Sequence, residues 1–313
     1  MSSLSPSNHV AVVIVSFRNP DDITGCLAAL SRSTHQDFAV YVCENGGDEA
    51  YEKLTAVLPA TLPGGQLVTP LNPCENLGYA GGINHAIAAT GDTYRAVWIL
   101  NPDTTPRPDA LAALLRRLDR GDVEAVGGVT VTIGGLVQGY GGRWLPWLAL
   151  GGSIGLFADP NDPVDAAAVE AKQAYLIGAS MLVSRKFIEH VGPMRADYFL
   201  YVEEVEWCLR ARRRGLRLGF APDAVIEHLQ GTTTGWSGPF NKRPKLSIYL
   251  DARNRVRLTR QMTPWFLPTA VPYILAHSLW RYARRGAWRQ VGYVFQGVLA
   301  GLRNESGRPS WVP

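Results

Sequence analysis

The chain has 313 residues, 46% of them hydrophobic and 19% charged, enough to bury the core of one large α/β domain or two modest ones and too apolar for a disordered or collagen-like chain. Its 32 Gly and 21 Pro follow no period, which excludes a low-complexity tract, and no internal repeat is visible. Formal net charge is +4 but unevenly spread: from Pro239 onward 13 Lys and Arg face only Asp251 and Glu305, whereas the preceding 238 residues hold 18 basic and 25 acidic side chains.

The N-terminal M-S-S-L-S-P-S-N-H has no basic region and leads into Val10–Phe17, a run of strand length, so no signal peptide is indicated. Asn19, Pro20, Asp21 and Asp22 then read as an N-cap, a first-turn proline and first-turn acids, and Ile23, Cys26, Leu27 and Leu30 line one helical face. Phe38–Cys43 is predicted as a strand, Asp48–Leu58 as a helix, Gln66–Leu71 as a strand, Ile83–Ala89 as a helix and Tyr94–Leu100 as a fourth strand. Continuous apolar strands alternating with helices imply a parallel sheet covered on both faces. Ligands of such sheets bind at the carboxyl ends of the strands, so Ser16, Glu44, Asn72–Gly82 and Asn101–Asp103 are expected on one rim.

Pro108–Arg120 reads as a helix and Val123–Ile133 as a strand, but the Gly- and Trp-rich stretch Gly134–Pro163 has no clear period and is expected to be irregular. Regular structure is expected again at Ala174–Val183, in helices at Arg185–His190 and from about Glu203 to Arg214, and in a strand at Ala224–His228. From Lys242 the chain reads as helical, in segments Leu246–Met262, Phe266–Tyr282 and Trp288–Leu302. The longest apolar stretch, Trp265–Trp280, has sixteen residues, short of the ~20 needed to span a bilayer. The four cysteines (Cys26, Cys43, Cys74 and Cys208) form no C-x-x-C pair, which favours a reducing compartment over a disulfide framework or a zinc knuckle.

Four places carry chemistry. The strand Val97–Leu100 runs into Asn101-Pro102-Asp103, where a carboxylate could face a divalent cation on a diphosphate or simply cap the next element. Asn76-Leu77-Gly78-Tyr79-Ala80-Gly81-Gly82-Ile83-Asn84 is a glycine-rich opening to a helix, suited either to phosphate or to tight helix–strand packing. It is not the dinucleotide fingerprint, which speaks against a dehydrogenase. Glu203, Glu204 and Glu206 start a helix amid Tyr198, Phe199, Tyr201 and Trp207: Glu206 is spaced to pair with Arg210, and desolvation would raise the others towards the range of a general base. His228 ends a strand, as a structural ring or as the metal partner of Asp103.

In their order along the chain, the first strand, Glu44-Asn45-Gly46, N-L-G-Y-A-G-G-I-N, L-N-P-D, I-G-A-S-M-L-V, the Y-F-L-Y-x-E-E-V-E-W-C-L-R-x-R run and His228 resemble glycosyltransferase family 2, nearest its bacterial rhamnosyltransferase-like branch. Tyr249 with Arg253-Asn254 is similar to a tyrosine and Arg-Asn pair on that branch's first C-terminal helix. The resemblance, over roughly residues 8–260, implies a GT-A fold: a mostly parallel sheet flanked by helices over residues 1–238, with a helical C-terminal extension over 239–313. It also implies an inverting hexosyltransferase, rhamnose-like sugars favoured, that uses Mg²⁺ or Mn²⁺ and a dTDP- or UDP-linked donor, and that serves a glycan or lipid-linked acceptor in cell-surface polysaccharide synthesis.

By the same resemblance Glu204 is the catalytic base, Asp103 and His228 hold the metal, and Ser16, Glu44, Asn45, Asn76, Gly78, Gly81, Asn84, Asn101, Trp207 and Arg253 meet substrate. Glu44 and Glu204 stand where the family has Asp, each adding a methylene of about 1.5 Å. Gly47 replaces a Ser, and Gly192-Pro193-Met194-Arg195-Ala196 replaces the usual Gly-Gly-Phe-Asp-Glu lead-in. A catalytically inactive binding module on the same fold is an alternative. A sugar-phosphate nucleotidyltransferase is another, although it would want a basic loop after the first strand, where only Arg18 stands. Nucleic acid is not expected as a partner, since the body is acidic and no recognition motif is present. Trp265, Phe266, Trp280, Trp288 and Phe295, interleaved with Arg281, Arg284, Arg285 and Arg289, resemble interfacial helices on an anionic leaflet. The same faces could pack on the catalytic domain or in a homo-oligomer. A cytoplasmic protein, soluble or peripheral on the inner face of the cell membrane, is the expectation.

Overall fold

The computed structural model describes residues 9–92, 94–229 and 240–312. The expected domain boundary between residues 238 and 239 lies outside them. The first half alternates β1 (Val10–Ser16), α1 (Pro20–Leu30), β2 (Phe38–Glu44), α2 (Asp48–Thr55), β3 (Val68–Leu71), α3 (Gly78–Ala89) and β4 (Ala96–Leu100). β5 (Thr104–Pro106), α4 (Ala110–Leu118) and β6 (Ala125–Thr132) follow. Every β1 side chain is buried, as a strand covered on both faces requires. Ile23, Cys26, Leu27 and Leu30 form the inner face of α1. Asn19 occupies the N-cap position but does not cap: it accepts from Phe17 N and donates to Asp22, joining strand to helix.

The stretch expected to be irregular contains β7 (Val137–Gly139) and a hairpin of β8 (Gly142–Leu145) and β9 (Leu150–Ser153). Its glycines hide the alternation that marks a strand: Gly142 leaves room for the Tyr175 ring, which a Cβ there would meet at 1.9 Å. Next come α5 (Ala166–Lys172), β10 (Ser180–Ser184), α6 (Arg185–Val191), α7 (Glu203–Arg213) and β11 (Leu218–His228). The C-terminal region is α8 (Lys245–Met262), α9 (Leu267–Ala283) and α10 (Trp288–Leu302).

The sheet runs β3-β2-β1-β4-β10-β6-β11-β5, with β7 against β6. β1, β2, β3 and β4 are parallel, and so are β6 and β11. β10 is antiparallel to β4 and β6, and β5 is antiparallel to β11, so the sheet is mixed rather than wholly parallel. β10 is apolar and buried along most of its length, a pattern that carries no information about strand direction. One core packs α1 and α4 on the sheet through Ile23, Leu27, Trp98 and Leu114; the opposite face holds Ile83 of α3, Phe187 of α6 and Trp207 of α7. A third core joins α8, α9 and α10 through Val256, Ile274 and Val294.

Candidate active site

The carboxyl ends of β1, β2 and β4 form the rim expected from the strand order. Ser16 and Glu44 are register partners. Glu44 is fully buried: Oε2 accepts from Ser16 Oγ at 2.6 Å, and Oε1 accepts from Arg18 N at 3.0 Å and Gly46 N at 2.7 Å. Its carboxylate reaches back to its own turn and knits the two strand ends together. Asn45 Nδ2 donates to Gly78 O at 2.8 Å. Beside this turn lies a cleft of about 260 Å³ lined by Arg18, Pro20, Gly46, Glu49, Ala50 and Lys53.

Beyond β4 the chain turns at Asn101-Pro102-Asp103 and comes back as β5, which places Thr104 opposite His228 at the end of β11. Asp103 and His228 therefore meet, with His228 Nε2 3.3 Å from Asp103 Oδ1 and 3.5 Å from Asn101 Nδ2. The other ring nitrogen, Nδ1, faces Gln138 Oε1 of β7 at 2.9 Å. With Nδ1 engaged there, Nε2 is the nitrogen that faces the carboxylate, an arrangement that suits a shared cation. Asn101 Oδ1 is buried without a hydrogen-bond partner. A carboxylate, an imidazole and an orphaned amide oxygen fit a divalent cation whose remaining positions come from phosphate or water. No trio of His, Cys, Asp and Glu side chains is gathered around a metal position among the described residues.

The Ile177-Gly178-Ala179 segment joins this corner to the acidic helix. Asn101 N donates to Ala179 O at 3.0 Å, and Tyr79 Oη donates to Gly178 O at 2.9 Å. Glu204 packs against Gly178, its Cγ 3.4 Å from where a Cβ would stand. Glu203 is buried, with Oε2 unpartnered, whereas Glu204 is only half-buried. Burial, and then the neighbouring Glu204, hold the Glu203 carboxyl well above the usual carboxylate range. Glu204 is also raised, by burial with Asp251 of α8 adding to it and backbone hydrogen bonds opposing. Burial, Glu203, Glu204 and Asp103, in that order, push the Tyr79 phenol well above its ordinary value, so Tyr79 stands amid the field of all three carboxylates. Glu206 pairs with Arg210 at 2.8 Å as its spacing predicts.

The other residues expected to meet substrate have protein contacts of their own. Gly81 and Gly82 lie inside α3, which begins five residues before the expected start at Ile83. A Cβ on Gly82 would come within 2.9 Å of Val15 and Asn45, so the glycine run serves close helix–strand packing. At the head of α3, Gly78 N donates to Asn76 Oδ1 and Tyr79 N to Phe199 O, leaving protein rather than phosphate on those donors. The Asn84 amide bonds both backbone groups of Met194. Trp207 is buried edge-on to Phe187, with Nε1 donating to Gly192 O. Arg253 is buried, and its three guanidinium nitrogens donate to Asn254 Oδ1, Gly307 O and Tyr198 O. Tyr79, Gly178 and Gln138 are the site residues that motif reading passes over: the first two sit within recognised motifs, and Gln138 lies in the stretch without a period.

The model of the family described as "Glycosyltransferase like family 2" matches residues 6–255. An N-acetylglucosaminyl-diphospho-decaprenol L-rhamnosyltransferase of Mycobacterium tuberculosis is 26% identical over 243 residues, covering 72% of this chain and 77% of that protein. The low-salt glycan biosynthesis hexosyltransferase Agl10 of Haloferax volcanii is 26% identical over 139 residues, which are 42% of this chain and only 43% of that protein. Among solved structures, GalNAc-T7 with UDP, GalNAc and Mn²⁺ superposes with a TM-score of 0.61 at 16% identity, over 80% of this chain and 47% of that one. The mannosyltransferase PcManGT of Pyrobaculum calidifontis with GDP-Man and Mn²⁺ gives 0.56 at 16% identity, over 96% and 89%. At that identity these two establish the GT-A fold alone.

Proposed function

The chain belongs to the glycosyltransferase-like family 2, and from that premise we propose that it is a metal-dependent, inverting hexosyltransferase. It takes a sugar, rhamnose-like by preference, from a dTDP- or UDP-linked donor to a hydroxyl of a glycan or lipid-linked acceptor in cell-surface polysaccharide synthesis. The observation that carries this reading is the Ile177–Ala179 segment that links two groups: Ala179 O accepts from Asn101 N beside the Asp103–His228 pair, and Glu204 packs on Gly178. The relatives named for rhamnosyl and hexosyl transfer support the sugar class, and the decaprenol-linked acceptor of the mycobacterial protein supports the acceptor class.

In this reading the nucleotide lies along the rim from the Arg18–Lys53 cleft towards Asp103. Asp103, His228 and Asn101 would hold Mg²⁺ or Mn²⁺, whose charge when bound offsets that developing on the leaving diphosphate. Gln138 fixes the His228 ring so that Nε2 faces Asp103. Glu204 accepts the proton of the acceptor hydroxyl as its oxygen bonds to the anomeric carbon on the face opposite the diphosphate. The bond from that carbon to the diphosphate oxygen breaks, and the electron pair leaves with the nucleoside diphosphate. One displacement inverts the anomeric centre. Burial raises Glu204 towards the pKa of an effective base, since such a group works best when its pKa lies near the operating pH. The C-terminal helices dock on an anionic leaflet at the cytoplasmic face, a reading supported by exposed Trp265, Trp280, Trp288 and Phe295. The function is tested by release of sugar from dTDP-rhamnose and UDP-sugars with and without Mn²⁺: cation-dependent turnover is expected, and its absence with every donor contradicts the proposal.

A further inference from the structure

Immediately before the acidic helix, the backbone holds a conformation that its side chains oppose. Phe199, Tyr201 and Val202 have φ of 69°, 71° and 73°, in the left-handed region, where a β-branched residue such as Val202 is a marked outlier. Val202 is the N-cap residue immediately before α7, so this conformation sets the direction in which Glu203 and Glu204 leave the loop.

The loop is gripped from two sides. Tyr79 N donates to Phe199 O at 2.7 Å, and Gly78 allows that approach because a Cβ on it would lie 2.2 Å from the same oxygen. From α8, Asn254 Nδ2 lies 3.0, 2.9 and 2.8 Å from the carbonyl oxygens of Tyr198, Leu200 and Tyr201. Arg253 Nη2 also donates to Tyr198 O, at 2.9 Å, and Arg253 Nε donates to Asn254 Oδ1 at 3.0 Å, which fixes the orientation of the amide. Asn254 is fully buried. All four carbonyls from Tyr198 to Tyr201 thus have donors: the two N–H groups of Asn254 serve the nearer Leu200 and Tyr201 oxygens, Arg253 serves Tyr198 and Tyr79 N serves Phe199.

We propose that Asn254 is a positioning residue for the acceptor-activating carboxylate: by binding the Leu200 and Tyr201 carbonyls beside the Arg253-held carbonyl of Tyr198, it holds the left-handed loop and thereby aims Glu204. The inference rests on Glu204 being the base proposed above. The two adjoining carbonyls call for a side chain with two N–H donors. A carboxylate would repel these carbonyls, and an apolar side chain would leave those of Leu200 and Tyr201 without this donor. Freed of the clamp, Val202 relaxes towards negative φ and the first turn of α7 swings. The groups facing Glu204 are Glu203 and Cys208 on α7, Tyr79 on α3, Tyr175 before β10 and Asp251 on α8. Displacement opens this enclosure to water, so the carboxyl ionises more easily.

The test compares Asn254→Ala, Asn254→Ser, which keeps one donor, and each combined with Glu204→Gln, using Mn²⁺-dependent hydrolysis of dTDP-rhamnose. The expected result is a fall in kcat of about 10–100-fold for Ala and less for Ser, with dTDP affinity by calorimetry unchanged. The acid limb of the kcat–pH profile moves to lower pH, and neither substitution costs further kcat in the Glu204→Gln background. Hydrogen exchange supplies a reading independent of substrate: amides 203–206 lose protection in Asn254→Ser while β1 and β4 keep theirs. Wild-type kcat in Asn254→Ser and Asn254→Ala, or equal losses with and without Glu204, overturns the positioning role while leaving Glu204 in place. Near-wild-type kcat in Glu204→Gln alone overturns the base and this inference with it.

Discussion

Glu203 and Glu204 are neighbours in sequence but meet different surroundings, because successive residues of a helix point about 100° apart. Glu203 is buried with an unpartnered oxygen, and Glu204 lies half-buried against Gly178. In the proposed mechanism Glu204 removes the acceptor proton, so Glu204→Gln lowers kcat by about 10²–10⁴-fold with nucleotide affinity nearly unchanged. If Glu203→Gln were the inactive variant instead, the assignment would move by one residue. The buried Glu203 carboxyl also has a consequence for stability. Its folded-state pKa lies above the unfolded value of about 4.3, so its protonated form stabilises the fold below that pH, and this contribution is lost as pH rises through the folded value. Glu203→Gln removes the titration. Its melting temperature should exceed that of the wild type by about 2–4 °C at pH 8 and match it near pH 4, as read by calorimetric melts. A variant less stable than wild type at pH 8 would show that the glutamate is held ionised.

At the scale of elements, the site depends on a loop that would be unstable alone. Left-handed φ at Phe199, Tyr201 and Val202 costs about 1–3 kcal/mol per residue, offset by hydrogen bonds from α3 and α8. Gly78→Ala would drive a methyl group into Phe199 O, at 2.2 Å, from a position with φ of 71°. Denaturant unfolding should show a loss of about 2 kcal/mol or more, accompanied by a fall in kcat; an unchanged midpoint would mean that the loop accommodates the methyl group. The strand ends, Asp103 and His228 were legible in the sequence because an apolar run that stops at a polar residue marks a rim position in any α/β sheet. The glycines are ambiguous as letters, since one packed inside a helix and one cradling phosphate look identical; the 2.9 Å approach of Val15 shows the packing use at Gly82. Gln138 was hidden because β7 is three residues long amid glycines that erase alternation. Arg253 and Trp207 were visible as side chains of the right chemistry, but their burial depends on contacts with Gly307 and Phe187, far away in sequence.

At the scale of the whole molecule, an acidic body carries a basic region of three helices, with four arginines on α8 and one tryptophan each on α9 and α10. On α10, Val291, Val294 and Val298 face inward while Trp288, Phe295, Leu299 and Leu302 are exposed at helical spacing. On α9, exposed Trp280 has the Arg284 guanidinium 3.8 Å from its ring centroid. Among the described residues no helix is long and apolar enough to cross a membrane, and a basic, aromatic face of this kind suits the interface of an anionic leaflet. Flotation with vesicles containing phosphatidylglycerol should carry the protein at low salt and release it as salt rises. Absence of binding at low salt, or a stable dimer that covers Trp288 and Phe295, would assign this face to protein contact instead. The central claim, that the rim formed by Asp103 and His228 receives a nucleotide diphosphate together with a divalent cation, is tested most directly by calorimetric titration of dTDP and UDP with Mn²⁺ into the wild type and Asp103→Ala. The account predicts Mn²⁺-dependent binding that Asp103→Ala abolishes while the melting profile stays cooperative; undiminished affinity in that folded variant would contradict it.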